Sequence, residues 1–92
     1  MKIQLSSYFY RKIKKEDVRI QKSFKEALRL FILNPLDPQL DNHPLKDPWS
    51  GCRSIDITAD YRAIYEEISE GNNIIAHFIT IGTHQELYKK DS

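Results

Sequence analysis

Cysteine is all but absent from this chain. Its one representative, Cys52, excludes an internal disulfide framework and any cysteine-based zinc cluster. Nowhere do about eighteen apolar residues run together, the length a membrane-spanning helix requires. The opening residues Met1 to Leu5 turn polar at once and carry no apolar signal-like core, so a cytoplasmic location is expected. Internal repeats and low-complexity tracts are missing too, which leaves a folded rather than a disordered chain. Nor is there much net charge, formally +1 at pH 7.

What is present is one domain's worth of sequence, 92 residues, too short for two independent cores. A single domain over residues 1–92 is expected. Its charge is unevenly divided. Up to Asn34 there are nine Lys/Arg against three Asp/Glu, and from Pro35 onward five against ten. The basic half is suited to an anionic partner, although Arg11, Lys12, Lys14 and Lys15 also read simply as the solvated face of a helix.

Periodicity sets out the elements. Ile3 and Leu5 alternate with Lys2 and Gln4, the pattern of a short half-buried strand. Ser6 or Ser7 can cap a helix in which Phe9 and Ile13 lie on one face. Asp17 can cap a second, whose apolar stripe is Phe24, Ala27, Leu28, Phe31 and Ile32. Pro35 disfavours helical backbone at Asn34 and stops it there. Residues 35–48 hold all four prolines and have no period, and long ordered loops of this kind tend to be functional. The period then becomes two. Trp49, Gly51, Arg53, Ile55 and Ile57 share one strand face, with Cys52, Ser54, Asp56 and Thr58 on the other. A turn at Thr58-Ala59-Asp60 leads to a strand from Tyr61 to Ile68. A second turn at Glu70 to Asn73 leads to Ile74–Ile81, apolar on both faces like a central strand, which Gly82 ends. The expected fold is α+β, a helical hairpin packed on a four-stranded, mainly antiparallel sheet in the order β-α-α-β-β-β.

Three histidines are candidates for chemistry. His77 alternates within the last strand and reads best as a satisfied structural residue. His43 stands in the proline-rich loop and is expected to be exposed. His84 follows the glycine at the end of the last strand, where a side chain can project from the sheet. Two histidines and nearby carboxylates at no ligand spacing imply no metal site and no cofactor.

Four ordered stretches carry more information: His43-Pro44-Leu45-Lys46, Trp49-Ser50-Gly51-Cys52-Arg53, Asp60-Tyr61-Arg62-Ala63-Ile64-Tyr65 and Gly82-Thr83-His84-Gln85-Glu86-Leu87-Tyr88. Together they resemble the YafQ branch of the RelE/ParE toxin superfamily, across residues 43–88; residues 1–34 match it only in helix layout. The resemblance implies the RelE/ParE toxin fold and an endoribonuclease that cuts messenger RNA, usually on the ribosome, and is silenced by a cognate antitoxin. It implies His84 as general acid and His43 as base or phosphate contact. Asp60 would orient a histidine or fix its protonation, Arg53 and Arg62 would bind phosphate, and Tyr88 would stack on a splayed base. Such cleavage needs no metal if one group takes the 2′-OH proton and another protonates the departing 5′ oxygen. The free toxin is expected to be monomeric.

Simpler roles stand beside these. Trp49 and Gly51 pack and turn, Tyr61 and Tyr65 belong to sheet and core, Arg62 can pair with Glu66, and Asp60 can be a turn residue only. Two departures from the family pattern also matter. Asp56 occupies the place of a further active-site histidine and could act as a base or as partner to His43 or His84. The chain also lacks the strong basic excess of ribosome-dependent toxins. Two alternatives follow: a ParE-type toxin that inhibits DNA gyrase by contact alone, or a degenerate toxin that keeps only antitoxin binding.

Overall fold

The structure, a computed structural model, describes residues 1–88, so residues 89–92 of the expected domain lie outside it. In chain order its elements are β1 (Lys2–Leu5), α1 (Ser7–Lys15), α2 (Val18–Leu33), a 3-10 turn (Pro38–Leu40), β2 (His43–Pro44), β3 (Arg53–Asp56), β4 (Tyr61–Glu70), β5 (Asn73–Thr83) and α3 (His84–Leu87). The α+β class is as expected. The sheet has five strands instead of four, in the order β1-β5-β4-β3-β2. The added strand, β2, is two residues long and pairs antiparallel with β3, His43 against Ser54. A pair this short has no period to read. β1 runs parallel to β5, and the other neighbours are antiparallel.

Local chemistry accounts for the helices. Ser6 caps α1 by accepting from the Phe9 amide at 2.9 Å, while its hydroxyl donates to the Ile79 carbonyl at 2.8 Å. One side chain thus starts a helix and fastens it to β5. Asp17 caps α2 by accepting from the Arg19 amide at 2.7 Å, and α2 stops at Leu33 before Pro35. Phe9 and Ile13 of α1 and Phe24, Ala27 and Phe31 of α2 are buried together against Tyr65 and Phe78 of the sheet. Phe78 is the hub, with ring centroids 5.9 Å from Phe9, 6.1 Å from Phe24, 5.5 Å from Phe31 and 5.2 Å from Tyr65. Ile32 departs from the expected stripe and is 62% exposed. It lies on the last turn of α2, and the sheet is met there by Phe31 instead.

The sheet differs from the sequence reading in three places. β3 starts only at Arg53, because residues 46–52 make successive turns, closed by Trp49 N–H to Lys46 C=O and Cys52 N–H to Trp49 C=O. β4 and β5 continue to a two-residue turn, with Glu70 opposite Asn73 and Gly71 at a φ of 62°. That φ is what the first position of a tight hairpin turn requires and what a side chain disfavours. Gly82 does not end β5, which runs on to Thr83. Within β5 the register shifts: Ile64 faces Thr80 but Tyr65 faces Phe78, so Ile79 is an extra residue. The bulge changes the alternation, and Phe78 and Ile81 both belong to the core.

Candidate active-site cleft

His43 begins this site. Asp41 ends the 3-10 turn in the left-handed region, φ 46°, a conformation aspartate tolerates better than most residues. The Asp41 carbonyl accepts from His43 Nδ1 at 2.7 Å, and the Asp41 carboxylate lies 3.9 Å from the same nitrogen. A carbonyl can only accept, so Nδ1 carries the hydrogen and the neutral ring presents Nε2 as a free lone pair. Pairing with Ser54 in β2 places His43 on a short strand rather than in a loop, with its side chain 45% exposed.

His84 is held differently. It is the first residue of α3, behind a reciprocal cap in which the Thr83 hydroxyl accepts from the Glu86 amide at 3.2 Å and the Glu86 carboxylate accepts from the Thr83 amide at 2.8 Å. Those bonds hold the Glu86 carboxyl below the usual carboxylate range, helped by Lys12. Gly82 leaves the space the cap needs: a Cβ there would lie 2.9 Å from Lys12 Nζ and 3.0 Å from Glu86 Oε1. The Gly-Thr-His-Gln-Glu stretch is therefore a strand end, a cap and a helix start. The Tyr88 ring lies 4.6 Å from the His84 ring, centroid to centroid.

Both histidines line one cleft of about 430 Å³, together with Asp41, Pro44, Leu45, Lys46, Asp47, Arg62 and Tyr88. Asp60 lies outside that lining. It shares an adjoining depression with His84, Tyr61 and Thr83, on the other side of His84. Arg62 is heavily engaged. Its Nη1 donates to the carbonyls of Thr58 at 3.1 Å, Ala59 at 3.1 Å and Tyr61 at 3.3 Å, tying the β3–β4 turn. Its Nε lies 2.9 Å from Asp56 Oδ1, an ion pair by distance whose N–H is not aligned for a hydrogen bond. The partner of Arg62 is thus Asp56, across the strand pair, and not Glu66. Burial pushes the Asp56 carboxyl up, and Arg62 opposes that rise. Asp56 does not line the cleft; it borders a groove toward α2 and reaches the site through Arg62.

Arg53 is likewise outside the lining. Its Nε donates to Asn42 Oδ1 at 2.7 Å, and Asn42 Nδ2 donates to Pro35 O at 2.9 Å and Tyr65 Oη at 2.8 Å. This chain of bonds pins the proline-rich loop to the core. Trp49, also outside the lining, ties the turns before β3 to α3 by donating from its indole to the Leu87 carbonyl at 2.8 Å. His77 is satisfied by Gln4 at 2.8 Å. Sequence reasoning passed over Lys46, Asp41 and Asp47. Lys46 stood inside a quoted motif, but a loop lysine carries no periodic signal.

Among the described residues, no three or more His, Cys, Asp or Glu side chains are grouped to hold a metal ion, and no helix is long and apolar enough to cross a membrane. Compared with curated protein sequences, the chain finds no match. Its fold is similar to crystal structures of YafQ from E. coli (27% identity, TM-score 0.74, 94% of this chain and 96% of that one). It is also similar to YafQ in an E. coli DinJ–YafQ complex (25% identity, TM-score 0.65, 94% and 96%). A YoeB/ParE toxin from Agrobacterium tumefaciens shares the fold at 22% identity and TM-score 0.72, over 91% of this chain and 99% of that one. The family described as bacterial toxin of type II toxin-antitoxin system, YafQ, matches residues 1–89. With the match spanning nearly the whole chain, this protein belongs to the YafQ family of type II toxins.

Proposed function

We propose that this toxin is an endoribonuclease that cuts messenger RNA, on the ribosome, by acid–base catalysis. The observation that carries the reading is the meeting of His43, His84 and Tyr88, from β2, α3 and the chain beyond it, in one cleft. His43 Nε2 takes the 2′-OH proton while the 2′ oxygen bonds to phosphorus. The P–O5′ bond breaks, and His84 gives its proton to the departing 5′ oxygen, leaving a 2′,3′-cyclic phosphate. Asp60, which shares the adjoining depression with His84, orients that ring. Tyr88 steadies the His84 ring and offers an aromatic surface to a base. Asp56 acts at one remove, through Arg62. The chain works in the cytoplasm as a single domain, and free toxin is monomeric.

The partner follows from kinship. E. coli YafQ is found in complex with DinJ, and we extend that to a cognate antitoxin for this chain, whose binding segment folds on the toxin surface.

Induced expression of wild type and His84→Ala in a bacterial host, with growth followed and mRNA 5′ ends mapped, tests the reading. Growth arrest with new in-frame ends, both lost in the variant, is expected. Arrest that persists in His84→Ala would overturn the nuclease mechanism. The carboxylates of Asp41 and Asp47 on the cleft wall favour a second reading, a toxin that acts by protein contact without cleaving RNA. Arrest with no new RNA ends would support it.

A further inference from the structure

A phosphodiester entering the cleft meets two carboxylates, Asp41 and Asp47. The charge on phosphorus grows as the 2′ oxygen attacks, so a cation must face it. The two arginines that the family pattern marks for this task are otherwise engaged. Arg53 is bound to Asn42 away from the lining. Arg62 is on the lining, but Asp56 offsets its charge and three backbone carbonyls take up its Nη1.

Lys46 remains. It lines the cleft between Leu45 and Asp47, it is exposed, and no described carboxylate forms an ion pair with it. Among the described residues its side chain has no partner, while its backbone is fixed on both sides. The Leu45 amide donates to Cys52 O at 3.0 Å, and the Lys46 carbonyl accepts from the Trp49 amide at 2.9 Å. Trp49 in turn is bound to Leu87, the last residue of the helix that His84 begins. The turn bearing the ammonium and the helix bearing the proposed acid are thus tied through one indole. A compact charge on a flexible stem, rooted in a fixed backbone, is suited to following a phosphate through a change of geometry.

We infer that Lys46 is the cation that binds the substrate phosphate in this cleft. The inference deepens the nuclease reading and rests on it for the identity of the ligand.

Binding of a short fluorescein-labelled 2′-O-methyl RNA, which cannot be cut, separates the two. Anisotropy titrations over a salt series would compare wild type, Lys46→Ala, Lys46→Arg, His84→Ala and Lys2→Ala, the last on the far edge strand. Lys46→Ala should bind about three- to fivefold more weakly at low salt, the loss of one exposed charge contact. Its log–log salt slope should flatten by about 0.7, one phosphate on a single strand. Lys46→Arg should restore both, and Lys2→Ala should match wild type. Equal affinity and slope for wild type and Lys46→Ala would overturn the inference, as would no binding by wild type. New mRNA ends that survive His84→Ala in the induced-expression experiment, while binding of this RNA still depends on Lys46, would instead sink the nuclease mechanism and leave the contact standing.

Discussion

Asp56 and Arg62 show how much one residue's surroundings decide. Burial holds the Asp56 carboxyl above its ordinary range, so the folded chain keeps that proton to higher pH than the unfolded chain does. In the window just above pH 3.8, the ordinary value, the native state binds more protons, and Asp56 makes stability fall as pH rises. Asp56→Asn removes this term. Its stability relative to wild type should improve from pH 3.5 to pH 7, by less than about 1 kcal/mol because the pair is partly solvated. Urea midpoints at the two pH values measure it, and a constant difference would refute it. Sequence alone singled out His43 and His84 as candidates through their motifs, and both line one cleft. Sequence could not show that Arg53 is bound to Asn42 and held off the cleft, since β2 and the turns before β3 set that and neither has a period. Nor could it show that Arg62 is tied to its own turn.

Elements here depend on single caps. Ser6 both starts α1 and bonds the bulge carbonyl of β5, so Ser6→Ala loses a cap and leaves a part-buried acceptor unpaired. Destabilisation of about 1–2 kcal/mol is expected in chemical denaturation, and a change below about 0.3 kcal/mol would show that neither bond matters. The α3 cap adds a pH signature. The Glu86 carboxyl is held low, so its contribution is present above the ordinary value of 4.5 and is lost as pH falls through the folded value. Glu86→Ala should cost about 0.5–1 kcal/mol at pH 7 and much less at pH 3. Equal costs at both would assign the effect to packing. The caps at Ser6 and Asp17 were visible in the sequence because their chemistry is local, whereas the four-residue α3 and its Thr83–Glu86 cap were not read, being too short for a period. The bulge at Ile79 was not visible, because an extra residue in a strand leaves no compositional mark; beyond it β5 keeps pairing, Gly82 with Arg62 and Thr83 with Tyr61, up to His84.

At the scale of the molecule, one aromatic cluster joins both helices to the sheet through Phe78. Phe78→Ala should cost about 3–5 kcal/mol, a large share of the roughly 5–15 kcal/mol that holds a domain together. A fall in Tm of more than about 12 °C is expected by calorimetry, and a smaller one would mean the core closes over the gap. The α+β class was legible because the period switches once, from helical to alternating. The parallel place of β1 was not, because that pairing joins distant parts of the chain: Ser6 bonds Ile79 across 73 positions. Such a topology has a consequence for synthesis. β1 and α1 leave the ribosome well before β5, the strand they dock on, which follows about 70 residues later at about 5–20 residues per second. His84 is later still. The two sides of the cleft, His43 and His84, therefore meet only after β5 has emerged, and a nascent chain that stops short of His84 has no cleft.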